Sequence, residues 1–354
     1  MYSVITFIRL INLIKLTSSY VLSVLFHKPI HWGSPAFVSI EPTNHCNLKC
    51  PECPTGQHGL TRETGSLTLK DFERYIEQVS PQAAFLTLYF QGEPYLHKDL
   101  FRFISYARSS HIHVMSSTNG HYLTEENIRM TIESGLNKLI ISLDGTDQKA
   151  YEQYRIGGSF ETVVNGIREF SRIRMEMKAQ NPILEIQFLV LKSNEHQIEE
   201  IKKLGNSLGA DRTVLKTAQF YDLSGENPLI PGEGRWSRYR RTSGQAKTSG
   251  QADKRTSGQA ETSGQADRRT DGQGYELKKP LPNRCFRMWS GCVITWDGSV
   301  VPCCYDKDAD HRIGDLNTQS FQGIWRGDNY RKFRKKILNE RKSVDICRNC
   351  NQWW

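Results

Sequence analysis

The amino-terminal segment of this chain lacks a long uninterrupted hydrophobic run. Residues 1–27 are mostly apolar, but Arg9 and Lys15 interrupt them, and the longest stretch without Lys or Arg covers only the last 12 of these residues. That is shorter than the roughly 18–20 residues that cross a bilayer. No small-residue cleavage site of the kind that ends a signal peptide precedes His31. We therefore expect residues 1–30 to form an apolar helix that either packs on the protein or lies in a membrane interface.

The chain also lacks the cysteine distribution of a secreted disulfide scaffold. Its nine cysteines lie in tight groups within 354 residues. Grouped cysteines in a chain of this size are typical of metal ligation in a reducing compartment. We expect a cytoplasmic protein, located at the inner membrane surface if the amino-terminal helix binds lipid.

Aromatic residues are scarce where the positive charge is concentrated. The formal net charge is +9, and much of the excess lies in residues 235–279 and 331–342. Neither segment has the interleaved basic and aromatic residues of a nucleic-acid-binding element. We interpret them as a solvated linker and a solvated helix face, and nucleic acid is not an expected partner.

Large apolar residues are missing from residues 242–274. The motif TSGQA recurs there, each time followed by a charged residue, and the last unit is the variant TDGQG. Such a tract cannot offset the entropic cost of ordering its backbone. We expect a low-complexity, disordered insertion between two folded domains, at 36–235 and 280–354.

Residues 36–220 alternate between strand and helix patterns. The six predicted strands are Ala36–Glu41, Phe85–Phe90, His113–Thr118, Lys138–Leu143, Ile183–Leu191 and Arg212–Lys216. Six strand–helix units predict an α/β fold with a parallel sheet and right-handed crossovers. Curling of that sheet would give a partial (β/α)6 TIM-like barrel, whose reactive groups lie on loops at the carboxyl ends of the strands.

Three cysteines follow the first predicted strand. Cys46, Cys50 and Cys53 have the spacing CxxxCxxC. A four-iron cubane has four irons to ligate, so three cysteines leave one iron open to another ligand. A zinc site is the alternative, but it normally needs a fourth protein ligand close by in the chain.

This spacing resembles the radical S-adenosylmethionine (SAM) superfamily, in which SAM occupies the open iron. The motif Gln-Gly-Glu-Pro, which contains Gly92 and Glu93, follows the second strand and resembles the family's Gly-Glu motif, which receives the methionyl ammonium of SAM. By the same resemblance, Ser142 and Arg155 would bind the SAM carboxylate and Asn119 its ribose.

The carboxyl-terminal part resembles the SPASM/Twitch extension of radical SAM enzymes, which holds an auxiliary iron–sulfur cluster. It combines a predicted hairpin around Asp297-Gly298 with a helix and six cysteines. The resemblance favours one auxiliary [4Fe-4S] cluster on Cys285, Cys303, Cys347 and Cys350. Cys303 and Cys304 are adjacent, so on an extended segment only one of them could face the cluster. Cys292 and Cys304 are left over, and four thiolates would also suit zinc.

The resemblance implies an enzyme with two [4Fe-4S] clusters and SAM, which cleaves SAM reductively and abstracts hydrogen from a substrate. The substrate would be a peptide or a small molecule, and the electron would come from a partner such as ferredoxin or flavodoxin. Peripheral membrane contact through residues 1–27 is a further expectation. The competing hypothesis is a zinc-stabilised nucleic-acid-binding protein.

Overall fold

The computed structural model describes residues 6–221, 223, 226–232, 234–242, 274–279, 281–348 and 350. The disorder predicted for residues 242–274 therefore lies outside the described ranges, apart from the two end residues. Thr242 and Gly274 are held together, because the Thr242 amide donates to the Gly274 carbonyl at 2.8 Å.

Six parallel strands form the centre of the fold, in the order of the chain. They are β1 (Phe37–Ile40), β2 (Phe85–Leu88), β3 (His113–Thr118), β4 (Lys138–Ser142), β5 (Ile183–Val190) and β6 (Arg212–Thr217). Each predicted strand is present, with ends that differ by up to two residues. The predicted α/β class and the partial barrel are confirmed.

Helices separate these strands along the chain. They are α1 (Phe7–Phe26), α2 (Leu69–Val79), α3 (Leu100–Ser109), α4 (Glu125–Glu133), α5 (Gln148–Glu152), α6 (Phe160–Glu176) and α7 (Ile198–Ser207). Helix α2 begins directly after Thr68, whose hydroxyl caps it by accepting from the Asp71 amide at 3.1 Å. Phe72 and Ile76 of α2 are buried in the core that joins the helices to the sheet.

The carboxyl-terminal part adds further elements. They are β7 (Tyr239–Arg241), β8 (Tyr275–Leu277), α8 (Arg287–Ser290), β9 (Gly291–Ile294), β10 (Ser299–Val301), β11 (Gly314–Asp315), α9 (Phe321–Arg326), α10 (Asp328–Glu340) and α11 (Asp345–Arg348). Strands β9 and β10 form the predicted hairpin around Asp297-Gly298.

The hairpin belongs to the barrel sheet. Strand β9 pairs in parallel with β1, with Val38 opposite Cys292, so nine strands form one sheet in the order β11-β10-β9-β1-β2-β3-β4-β5-β6. Sequence reasoning placed the hairpin in a separate small domain, because a pairing across more than 250 residues leaves no local signal.

The amino-terminal helix packs on the barrel. Arg9, Asn12, Ser19 and Ser23 of α1 are all buried. The helix has 20 residues and a mean hydropathy of 1.4, so its length and composition would allow it to cross a membrane. The longest run without Lys or Arg is too short to cross a bilayer, as predicted from the sequence. The whole helix is long enough, but it contains Lys15 and the buried Arg9.

One buried ion pair joins four segments at the end of β1. The Glu41 carboxylate is fully buried and accepts two hydrogen bonds of 2.6 Å from the Arg62 guanidinium. It also accepts from the backbone amides of Gln91 and Trp296, each at 3.2 Å. Four segments therefore meet at one carboxylate. They are the end of β1, the loop beyond the cysteines, the loop after β2 and the carboxyl-terminal hairpin.

We expect Glu41→Gln to destabilise the fold by roughly 3–5 kcal/mol, because it leaves the buried Arg62 guanidinium without its charge partner. The measurement is the thermal midpoint of the apoprotein. The control is Glu169→Gln, which removes an exposed pair with Arg172 and should leave the thermal midpoint nearly unchanged. Equal midpoints for the two variants would contradict this account.

Candidate functional site

A cavity of about 340 Å³ lies at the carboxyl ends of the six barrel strands. The structure brings together around it all eight residues predicted for the cysteine loop and its ligand: Cys46, Cys50, Cys53, Gly92, Glu93, Asn119, Ser142 and Arg155. Seven of them lie at the end of a strand or in the loop that follows it, as expected for a barrel of parallel strands, and Arg155 follows the short helix α5.

The cysteine loop folds back on itself. The Cys53 amide donates to the Cys50 carbonyl at 3.1 Å, and the Gln57 amide donates to the Cys53 carbonyl at 3.0 Å. Burial raises the pKa of Cys46 to about 11. Burial also raises the pKa of Cys50, and the charge of Arg155 opposes that rise. The Arg155 guanidinium lies 3.8 Å from the Cys50 sulfur, where it would stabilise a thiolate.

Gly92 allows the loop after β2 to touch the cysteine loop. Its φ is +75°. A Cβ at this position would lie 2.5 Å from the Thr43 carbonyl oxygen and 2.6 Å from that of His45. The next amide, that of Glu93, donates to the His45 carbonyl at 2.7 Å. Only glycine combines this φ with such a close approach of two backbones.

The Glu93 side chain is buried at the edge of the cavity. Its carboxylate accepts from the Thr118 hydroxyl at 2.8 Å, from the Asn119 amide at 2.7 Å and from the Tyr95 amide at 3.1 Å. Burial raises the pKa of Glu93 to about 7, while these hydrogen bonds act in the opposite direction. The carboxylate therefore ties the loop after β2 to the end of β3, in addition to lining the cavity.

Arg155 is oriented by an acidic residue. Its guanidinium Nε donates to the Asp144 carboxylate at 2.6 Å, and the other oxygen of that carboxylate accepts from the Leu189 amide at 2.6 Å. Asp144 is fully buried. The sequence contained Asp144 in a turn after β4 but gave no sign that it orients Arg155.

Lys307 also lines the cavity, although sequence reasoning did not select it. It lies in the carboxyl-terminal part, four residues after Cys303, and reaches the cavity because the hairpin joins the barrel sheet. Its ammonium lies 5.1 Å from the centre of the Phe90 ring. Within the described ranges no carboxylate pairs with it. It is thus a cation available to an anionic ligand.

The second cysteine group lies in the carboxyl-terminal part. Burial raises the pKa of Cys285, and the Cys350 thiol is close enough to add to that shift. Burial raises the pKa of Cys347 to about 11, with smaller contributions from Cys285 and Cys350. Arg341 lies beside these thiols and donates to the Cys350 sulfur at 3.5 Å. Three of the four predicted auxiliary ligands are therefore neighbours around one arginine.

Cys303 and Cys304 lie in a turn, and the extended segment assumed from the sequence is wrong. The Asp306 amide donates to the Cys303 carbonyl at 3.1 Å, which closes the turn. The two thiols share a hydrogen bond that raises the pKa of Cys303 and lowers the pKa of Cys304. Alternation along a strand therefore does not separate them. Cys285 lies near Cys303, and this proximity favours Cys303 as the fourth member of the group.

Cys292 lies elsewhere. It is buried in β9, and the charged group that acts on it is Arg334. Burial raises the pKa of Cys292 to about 12, as expected for a thiol in the core.

The thiol spacing fits a cluster better than a single ion. Within the described ranges, no three His, Cys, Asp or Glu side chains are close enough to enclose one metal ion. A zinc site needs that closeness because all of its ligands contact one atom. In a cubane each cysteine ligates a different iron, so the sulfurs of Cys46, Cys50 and Cys53 can stand further apart around their shared cavity.

Family models match both the barrel region and the carboxyl-terminal region of the chain. The model of the radical SAM superfamily matches residues 40–205, and that of SPASM, an iron–sulfur cluster-binding domain, matches residues 285–351. The chain belongs to the radical SAM superfamily. It is a radical SAM enzyme with a SPASM region, and its cofactors are SAM and [4Fe-4S] clusters. The zinc-stabilised nucleic-acid-binding alternative has no support from these matches.

Curated relatives of similar length share this organisation. An AdoMet-dependent heme synthase of Methanosarcina barkeri is 28% identical in an alignment of 327 residues that covers 86% of this chain and 85% of that protein. A second protein of that name, from Oleidesulfovibrio alaskensis, is 24% identical and covers 85% of this chain and 78% of its own.

Solved structures show the same fold at low identity. SuiB of Streptococcus suis bound to S-adenosylmethionine is 15% identical with a TM-score of 0.62, covering 95% of this chain and 76% of SuiB. The structure of anSMEcpe with bound AdoMet is 15% identical with a TM-score of 0.55, covering 89% and 88%.

We expect Gly92→Ala to prevent assembly of the cysteine-loop cluster, because the new methyl group would collide with the Thr43 and His45 carbonyls. The measurement is iron per chain after anaerobic reconstitution, which should fall by about half. The control is Gly157→Ala, since Gly157 also has a positive φ, +85°, but a Cβ there would meet nothing within 4 Å. If both variants lose iron equally, backbone strain and not the collision is responsible.

Proposed function

We propose that Cys46, Cys50 and Cys53 hold the SAM-binding [4Fe-4S] cluster. The supporting observation is that the three thiols line one cavity together with the five residues expected around SAM. Among the described residues that line the cavity, the cysteines are these three, and three thiolate ligands leave one iron for SAM. When bound, the reduced cluster and SAM supply a 5′-deoxyadenosyl radical that takes a hydrogen atom from substrate.

The protein's own contribution is to position these groups. Gly92, Glu93 and Asn119 form one wall of the cavity, and Ser142 and Arg155 form another. Arg155, fixed by Asp144, presents a positive charge to Cys50 and to the carboxylate of SAM. The Glu93 carboxylate supplies the negative charge that the methionyl ammonium requires.

We propose Cys285, Cys303, Cys347 and Cys350 as ligands of one auxiliary [4Fe-4S] cluster. Arg341 and Arg287 lie beside these thiols and offset the charge that accumulates when they are deprotonated. A cluster with four cysteine ligands has no iron left for substrate. Its suitable role is to accept an electron, so the net reaction would be a two-electron oxidation.

We propose that the substrate is a small molecule with an acidic group. Lys307 provides the unpaired cation in the cavity, and the relatives named heme synthase suggest a precursor of heme as the first compound to test. The enzyme would act in the cytoplasm with a one-electron donor such as ferredoxin or flavodoxin. Peripheral membrane contact depends on a separate surface, the outer face of α1.

Replacing Cys50 with Ala should abolish SAM cleavage, because the cluster loses one of its three protein ligands. Release of 5′-deoxyadenosine with dithionite as reductant measures this. Cys292→Ser is the matched control and should keep the full content of about eight irons per chain. Loss of half the iron in that control would show that Cys292 is a ligand.

The choice between adjacent thiols is tested by Cys303→Ser and Cys304→Ser. We expect Cys303→Ser to lose about half of the iron after reconstitution and Cys304→Ser to retain nearly all of it. SAM cleavage should persist in both variants, because the cysteine loop is unchanged. The reverse pattern of iron content would assign the auxiliary ligand to Cys304.

Porphyrin precursors of heme and acidic peptides, added separately with SAM and dithionite, test the substrate class. A substrate that carries deuterium at its reacting carbon should transfer that deuterium to 5′-deoxyadenosine. Lys307→Met should raise KM for an acidic substrate about tenfold, the loss expected for one charged hydrogen bond, with background SAM cleavage unchanged. Deuterium transfer from the peptide alone would overturn the heme-precursor assignment.

A further inference from the structure

The amino-terminal helix presents its polar side to the protein. The Arg9 guanidinium donates to the carbonyls of His111 at 2.6 Å, Ser80 at 3.0 Å and Ser110 at 3.2 Å. Asn12 exchanges two hydrogen bonds of 2.8 Å with the backbone of Ser34.

The same stripe continues to the other end of the helix. The Ser23 hydroxyl donates to the Ile30 carbonyl at 2.7 Å and accepts from the Ile30 amide at 2.9 Å. The spacing of Arg9, Asn12, Ser19 and Ser23 is that of one helix face. These polar residues of α1 are therefore occupied by contacts with the barrel loops, with the segment that leads into β1 and, for Ser19, with the helix itself.

The opposite face is apolar and exposed. Phe7, Leu10, Leu13, Ile14, Val21 and Leu25 are between 46% and 77% exposed. A surface helix in a globular protein normally has the reverse arrangement, with its apolar stripe inward. Thr17 and Ser18 are also exposed on this side of the helix, and the apolar side chains before and after them mark an interaction surface.

The formal charges of the segment that contains this face are all positive. Residues 1–40 contain no Asp or Glu, whereas Lys15 and Lys28 are exposed beside the apolar side chains. Lysine stems extend along an apolar surface while their ammonium groups reach toward phosphate headgroups. Trp32, which is 48% exposed, follows the helix, and tryptophan is enriched at membrane interfaces.

We propose that the outer face of α1 docks on an anionic lipid bilayer, with the helix lying parallel to the membrane plane. A helix of 20 residues is about 30 Å long and about 10 Å wide, so this face offers roughly 300 Å². A stable interface between two proteins needs about 800 Å² per partner, so self-association through α1 alone is the weaker explanation. Spanning would require the contacts of Arg9 with the barrel loops and of Asn12 with Ser34 to break.

The placement of the helix fixes the orientation on the membrane. Ser80, Ser110 and His111, which receive Arg9, lie in loops that lead into β2 and β3. Tyr20 contacts Trp289, which leads into β9, with ring centres 5.4 Å apart. The helix therefore crosses the amino ends of the strands, and the cavity at their carboxyl ends opens away from the bilayer. The enzyme would take its substrate from the aqueous side.

Flotation of the full reconstituted chain on phosphatidylcholine vesicles, with and without phosphatidylglycerol, tests the proposal. Binding should require the anionic lipid. Ile14→Glu should reduce the bound fraction about tenfold, because it places a charge in the apolar face. The control is Met175→Glu, since Met175 is 72% exposed on α6. Both variants should keep the thermal midpoint and the SAM cleavage of the unmodified protein.

Any of four outcomes would overturn the proposal. The first is equal flotation of Ile14→Glu and Met175→Glu, and the second is no flotation of the unmodified protein. The third is a dimer in vesicle-free buffer that Ile14→Glu dissociates, which would assign the face to a second copy of the chain. Lys15→Gln with Lys28→Gln should weaken binding to anionic vesicles only. Resistance of the bound protein to alkaline carbonate would contradict a peripheral arrangement.

Discussion

The ion pair between Glu41 and Arg62 is the constraint on which the rest of the site depends. A carboxylate withdrawn completely from water is tolerated only when hydrogen bonds and an opposite charge satisfy it. Here the partners come from the loop beyond the cysteines, the loop after β2 and the carboxyl-terminal hairpin. One buried charge therefore helps to hold these three segments in their relative positions.

Each cysteine group is accompanied by an arginine from outside its own motif. Arg155 lies beside Cys50, Arg341 beside Cys285 and Cys350, and Arg287 beside Cys303. Buried thiols resist ionisation, and iron binds the thiolate. The arginines thus offset the cost of deprotonating ligands in a poorly solvated interior.

Much of the fold and of the first cysteine site could be predicted because the signals are local. Short apolar runs in the sequence indicate the strands, and Cys46, Cys50 and Cys53 lie in one loop. Three features could not be predicted, because each joins distant parts of the chain. They are the pairing of β9 with β1, the ion pair of Glu41 and the position of Lys307 at the cavity. The turn at Cys303 was not predicted, because two adjacent cysteines do not indicate whether the backbone is extended or turns.

The hydrogen bond between Thr242 and Gly274 has a consequence for the repeated TSGQA motif. Strands β7 and β8 pair directly outside this bond. The two ends of the span 243–273 are therefore held side by side, next to a pair of strands. Gain or loss of a unit would alter the copy number of the tract while the strands on either side keep their places. Unequal recombination within the repeats is thus a change that this architecture tolerates.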